Sequence, residues 1–262
     1  EVNMEISSHN LDPQEQLPPE DNDALAGNRY KALFHANMAV SVFLVIAGFL
    51  AAQSLDGKAV GFQNIPRFAI HRYLRLAPVY FAGLTLTVGV ALLLHPWVSP
   101  DMLPAHLDAS VLLANFLFLQ DILGLEALSA GVWYVAIDLQ LYVFFLCLAS
   151  LSHLTARQEF FLDKRWLWAA VGMLSLGYFH VDSNWNMWAI YFAGTYALGA
   201  LAYRSTHSLK NGHGILGLYV VGALLCVWIE PRPRLFVAIL TALVLFSTQF
   251  ISNRYAEANF RW

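Results

Sequence analysis

Charge is the scarce element of this sequence. Asp, Glu, Lys and Arg make up only 13% of its 262 residues, against about a quarter in a typical soluble domain. With 58% hydrophobic residues, the chain has too little polar surface to cover itself in water, which excludes an ordinary soluble globule. The net charge of -3 supplies no basic excess, so no nucleic-acid partner is expected. Cysteine is nearly absent. The two present, Cys147 and Cys226, lie inside apolar runs and read as small core residues rather than a disulfide or a metal pair. The histidines show no HExxH spacing, and there is neither a Walker nor a GxGxxG pattern. No metal ligand set is therefore expected.

What is present is long apolar sequence. A spanning helix needs roughly 20 mostly apolar residues. Seven stretches approach that length, at about 36–54, 76–94, 131–151, 166–181, 187–203, 214–230 and 235–252. The stretch 105–124 is apolar on one side but carries Asp108 and Asp121, and is expected to be an interfacial or re-entrant helix. The fold class expected is all-α: a polytopic membrane protein of about seven spans plus that extra helix. The polar segment 1–34, rich in acidic residues, Asn, Gln and Pro, is expected to be disordered. The membrane domain would occupy 35–252 and a cytoplasmic tail 253–262, in a truncated chain.

Lysine and arginine concentrate in alternate loops. Loop 55–75 holds Lys58, Arg67, Arg72 and Arg75, and loop 152–165 holds Arg157, Lys164 and Arg165. Loop 204–213 and the tail are also basic, whereas loops 95–130 and 182–186 have no Lys or Arg. The positive-inside rule then places the Arg67–Arg75 segment in the cytoplasm and loop 95–130 outside. Arg232 and Arg234 in one turn, and Arg29 and Lys31 before the first span, break the alternation. The N-terminal tail falls outside on this reading, so one further helix is expected upstream of Glu1.

Three places carry candidate chemistry. The first is the basic mouth of the second apolar run, where Arg72 and Arg75 stand three residues apart with Arg67 and His71 one turn earlier. Guanidinium forks grip phosphate oxygens bidentately; equally, arginines at this position set topology and touch lipid phosphate. The second is Asp138, the only charged residue between Glu126 and Arg157. An ionisable group inside a span is expensive and points to function, and its other reading is a structural carboxylate paired with an arginine from another helix. The third is the first span, with His35 at its outer edge as a candidate catalytic base or a simple polar anchor. There Gly48 offers a place for another backbone to approach closely. The outer loop with His180, Asp182, Asn184 and Trp185 suits contact with a sugar or an ordinary interfacial belt.

Three segments in order resemble membrane acyltransferase family 3. MAVSVFLVIAGFL is similar to that family's GVDxFFVxSGFL helix, RFAIHRYLRLAPVY to its FLxRRxxRIxPxY segment, and GVWYVAIDLQLYVFF to its WSLxxExQFYxxFP segment. The resemblance covers about 36–150 well and the later helices by general character. It implies a polytopic enzyme that moves an acyl group, often acetyl, from cytoplasmic acyl-CoA to a hydroxyl of a glycan or lipid-linked acceptor. It also implies a bacterial inner-membrane location, with membrane lipid as surroundings. The family's RxxR falls on Arg72 and Arg75, which with Arg67 become candidates for the phosphates of coenzyme A. Its carboxylate falls on Asp138, with Asp in place of Glu. Its Arg-x10-His motif has no counterpart, since eleven residues before His35 stands Ala24. The first and last helices of the family are therefore expected to be missing. A transporter or exporter of a polar solute or lipid-linked glycan is the other class that suits a basic mouth and intramembrane charge.

Overall fold

The computed structural model describes residues 38–58, 60–94, 109–120, 122–125, 128, 133–155, 163–179, 185, 188–207 and 212–259. Among them every regular element is helical. The elements are α1 (Met38–Ser54), a short 3-10 turn (Phe62–Asn64), α2 (Ile65–Leu94), α3 (Ala109–Phe116), α4 (Trp133–Thr155), α5 (Lys164–Leu174), α6 (Ala189–His207), α7 (Gly212–Ile229) and α8 (Pro233–Asn259). Each long apolar stretch of the sequence has become one helix. Two are long and apolar enough to cross a membrane, over Trp133–Leu154 and Pro233–Asn253. Met38–Ser54 and His213–Ile229 are shorter apolar helices. The outward faces are apolar as well. Leu86, Val90 and Leu93 of α2, Leu218, Leu225 and Trp228 of α7, and Leu240 and Val244 of α8 are all exposed, a surface that water does not favour.

α6 is the axis of the bundle. It packs against α4, α5, α7 and α8, and residues from Tyr191 to Tyr203 are buried all round. Its sequence explains why. Ala193, Gly194, Ala197, Gly199 and Ala200 keep its girth small, so neighbours approach to backbone distance. α1 crosses it most closely. A Cβ at Gly48 would overlap the carbonyl oxygen of Tyr196, and one at Gly199 would overlap that of Val45. The approach expected at Gly48 is thus made by α6, through two glycines that face each other's helices.

The ends of the helices follow local chemistry. α1 stops in a turn where Gly57 takes φ +66, the left-handed conformation that suits glycine after a helix. α2 begins eleven residues before the apolar run, with Pro66 in its first turn, where a missing N–H costs nothing. Its 30 residues extend about 45 Å at 1.5 Å per residue. Pro78 within it leaves the Leu74 carbonyl without its helical donor. α3 has 8 residues, about 12 Å, too short to cross a bilayer. It is tied to α2 by the Tyr80 hydroxyl, which donates to Asn115 O at 3.0 Å, and the Tyr73 hydroxyl, which donates to Phe116 O at 2.9 Å. α5 passes into a π-turn over Ser175–Phe179. There Ser175 Oγ donates to Ile190 O at 2.6 Å and accepts from Gly194 N at 3.1 Å, joining the end of α5 to the start of α6.

Candidate active site

α4 runs apolar from Trp133 and carries Asp138 near its start, facing α2. The carboxylate is 1% exposed. A buried charge persists only with a partner of excellent geometry, and Arg72 of α2 supplies it. Arg72 Nη2 donates to Oδ1 at 2.6 Å and to Oδ2 at 2.8 Å, and Nε donates to Oδ2 at 3.2 Å. Both carboxylate oxygens are engaged by one edge of the guanidinium. The Nη1 edge is left over, carrying two of the five N–H donors of arginine.

The ring of Tyr142, one turn further along α4, lies 4.5 Å from the Arg72 Cζ, within cation–π range. Its hydroxyl stands 3.4 Å from Ser54 Oγ. Ser54 uses its single hydrogen on Ala51 O at 2.7 Å, so Tyr142 is the donor of that longer bond. The end of α1, the start of α2 and the first half of α4 thus converge on one charged centre.

The basic mouth divides between two faces of α2. Arg72 turns inward, while Arg67, His71 and Arg75 are exposed. Their spacing of four residues puts these three on one stripe. Among the described residues neither Arg67 nor Arg75 has an ion pair. Lys58, in the turn after α1, caps the Ser54 carbonyl at 2.7 Å and lies over the Phe68 ring at 5.7 Å.

A second arginine–aspartate pair between separate elements lies at the C-terminal end of α6. Arg204 Nη1 donates to Asp56 Oδ1 at 2.6 Å, and the Tyr203 hydroxyl donates to Asp56 Oδ2 at 3.2 Å. Lys164 at the start of α5 belongs to the same cluster. Burial lowers its ammonium pKa, and the Arg204 charge lowers it further.

Of the residues singled out in the sequence, the structure joins Arg72 to Asp138 and holds Arg67 and Arg75 apart from that pair. His35, His180, Asp182 and Asn184 lie outside the described residues. Trp185 is exposed and meets Phe179 edge-on at 5.0 Å. Cys147 and Cys226 are both free thiols on separate helices. Sequence reasoning missed Ser54 and the Arg204–Asp56 pair. A lone Asp one turn past an apolar helix and a lone Arg at the end of another carry no mutual spacing to connect them.

A family model described as an acyltransferase domain, that of acyltransferase family 3, matches residues 6–260. No curated protein matches the chain, and neither does any solved structure.

Proposed function

The chain belongs to acyltransferase family 3 and is an acyltransferase of groups other than aminoacyl groups, and from that premise we propose that it is a polytopic membrane enzyme of about seven spans. On this reading it takes an acyl group, acetyl in the first instance, from cytoplasmic acyl-CoA and places it on a hydroxyl of a glycan or lipid-linked acceptor. The bacterial inner membrane is the compartment this reading assigns.

The observation that carries the proposal is the division of the basic mouth. An exposed stripe of Arg67, His71 and Arg75 suits the phosphates of a nucleotide-bearing donor, because each guanidinium presents a fork to phosphate oxygens. Arg72, fixed by Asp138, keeps its Nη1 edge for an oxygen of the donor nearer the thioester. Asp138 is then a positioning residue: it holds the guanidinium in one orientation and offsets its charge. The acceptor hydroxyl is deprotonated by a histidine base, which the family resemblance places in a helix upstream of Glu1, and attacks the thioester carbonyl. The products are the ester and free coenzyme A.

The test uses membranes containing the protein and acetyl-CoA labelled in its acetyl group. Free thiol should appear together with label in the carbohydrate fraction, in equal amounts. An exporter would leave the thioester intact, and absence of thiol release in membranes supplied with their own glycans would overturn the reading.

A further inference from the structure

Tyr196 and Tyr219 are both fully buried, and they differ in one respect. Tyr219 of α7, 2% exposed, donates its hydroxyl to Gly194 O at 2.9 Å. Tyr196 of α6, 0% exposed, has a hydroxyl with no hydrogen-bond partner among the described residues. Where a buried phenol serves only to pack this fold, as at Tyr219, its oxygen is satisfied. At Tyr196 it is not. Burying an orphan hydroxyl costs free energy that phenylalanine in the same space would avoid, so the unpaired group calls for an explanation.

Its surroundings supply one. Phe145, which packs against the Tyr196 ring with centroids 4.9 Å apart, stands one turn past Tyr142, whose own ring lies 4.5 Å from the Arg72 Cζ, so Tyr196 borders the charged centre between α2 and α4. Its backbone is clamped from the other side by Gly48, where α1 comes too close for any side chain. A donor held this firmly, in a place without competing water, is preorganised in the sense that electrostatic catalysis requires.

We propose that the Tyr196 hydroxyl is a catalytic hydrogen-bond donor to the acyl carbonyl oxygen of the donor thioester, beside the free edge of Arg72. The inference rests on the acyl-transfer reading above. In the step concerned, the acceptor oxygen forms a bond to the thioester carbon and the carbonyl π pair moves onto oxygen. Tyr196 bonds that developing oxyanion without giving up its proton. Collapse restores the carbonyl and breaks the carbon–sulfur bond. The proton taken from the acceptor hydroxyl by the histidine base ends on the departing sulfur, so ester and free thiol balance the reactants.

The experiment compares wild-type and Tyr196→Phe proteins in membranes, with acetyl-CoA as donor and thiol release as readout, alongside thermal unfolding of each in detergent. Tyr196→Phe should be at least as stable as wild type and keep its KM for acetyl-CoA. Its kcat should fall by about a hundredfold, the scale of losing one oxyanion donor. A kcat within about twofold of wild type would overturn the proposal. So would a raised KM at unchanged kcat, which marks a ground-state contact, or a destabilised variant, which marks a structural bond. Wild-type protein that releases no thiol overturns the acyl-transfer reading itself, and this proposal with it.

Discussion

Among the described residues, the two arginine–aspartate pairs that join separate elements have the same closest approach, 2.6 Å, but their aspartates lie in opposite surroundings. Asp138 is 1% exposed and lies among apolar helices, while Asp56 is 37% exposed in a turn beyond α1. Distance alone does not distinguish them. The inner pair survives only because every part of the carboxylate is engaged, and removing one partner strands a charge without water. The outer pair retains solvent on its Asp56 side, which screens the attraction and hydrates the carboxylate when the arginine is lost. The inner pair is therefore the place to look for chemistry, and the outer one the place to look for a helix fastening.

The largest effect is expected from splitting the inner pair. Asp138→Asn should abolish thiol release and destabilise the protein by about 3–5 kcal/mol, because Arg72 is left buried and unpaired. Asp138→Glu keeps the charge and should retain activity. The variant that sharpens the comparison is Arg72→Met with Asp138→Leu. Replacing both ions by apolar groups should restore stability to near wild type while leaving the enzyme inactive. Denaturant unfolding and thiol release measured on the same samples separate the two roles, and an active double variant would make the inner pair a fastening like the outer one.

An intermediate effect is expected from the exposed stripe. Arg67→Ala and Arg75→Ala should each weaken acyl-CoA affinity roughly tenfold, about 1.4 kcal/mol. Neither should alter binding of an acyl-pantetheine, which lacks the nucleotide phosphates. Unchanged acyl-CoA affinity in both would assign these arginines to topology instead. The smallest effect belongs to the outer pair. Asp56→Asn should cost no more than about 1 kcal/mol, read from detergent unfolding, with thiol release unaffected. A larger loss would show that the outer pair behaves as a buried one.

Much of this contrast was legible in the sequence, and the exceptions have physical causes. Apolar run length gave every long helix, because a segment without charge has to satisfy its own backbone in an apolar setting. Asp138 stood out for the same reason, and an arginine from another helix was among its expected partners. Which arginine was not legible. Arg67, Arg72 and Arg75 differ only in the direction each faces, and that depends on how α2 is rotated against α4. Hydropathy alone starts α2 late, because its basic turns look like loop, although Pro66 marks a helix entry. Tyr196 gave no signal of its own, since a tyrosine in an apolar helix reads as core. The surrounding alternation of Ala and Gly was the available clue: it marks a central helix whose neighbours are mostly apolar, where a hydroxyl has few places to bond.

The crossing of Gly48 with α6 also bears on how the protein is made. Synthesis proceeds from the N-terminus, and α1 leaves the ribosome long before Gly199 and Tyr196 exist. The Arg72–Asp138 pair can close as soon as α4 is in place, but Tyr196 packs against Phe145 of α4 only after α6 has been made. The interior is therefore assembled in two instalments, with the final piece arriving last. A nascent chain halted before residue 189 would hold its ions together yet lack the helix that seals them.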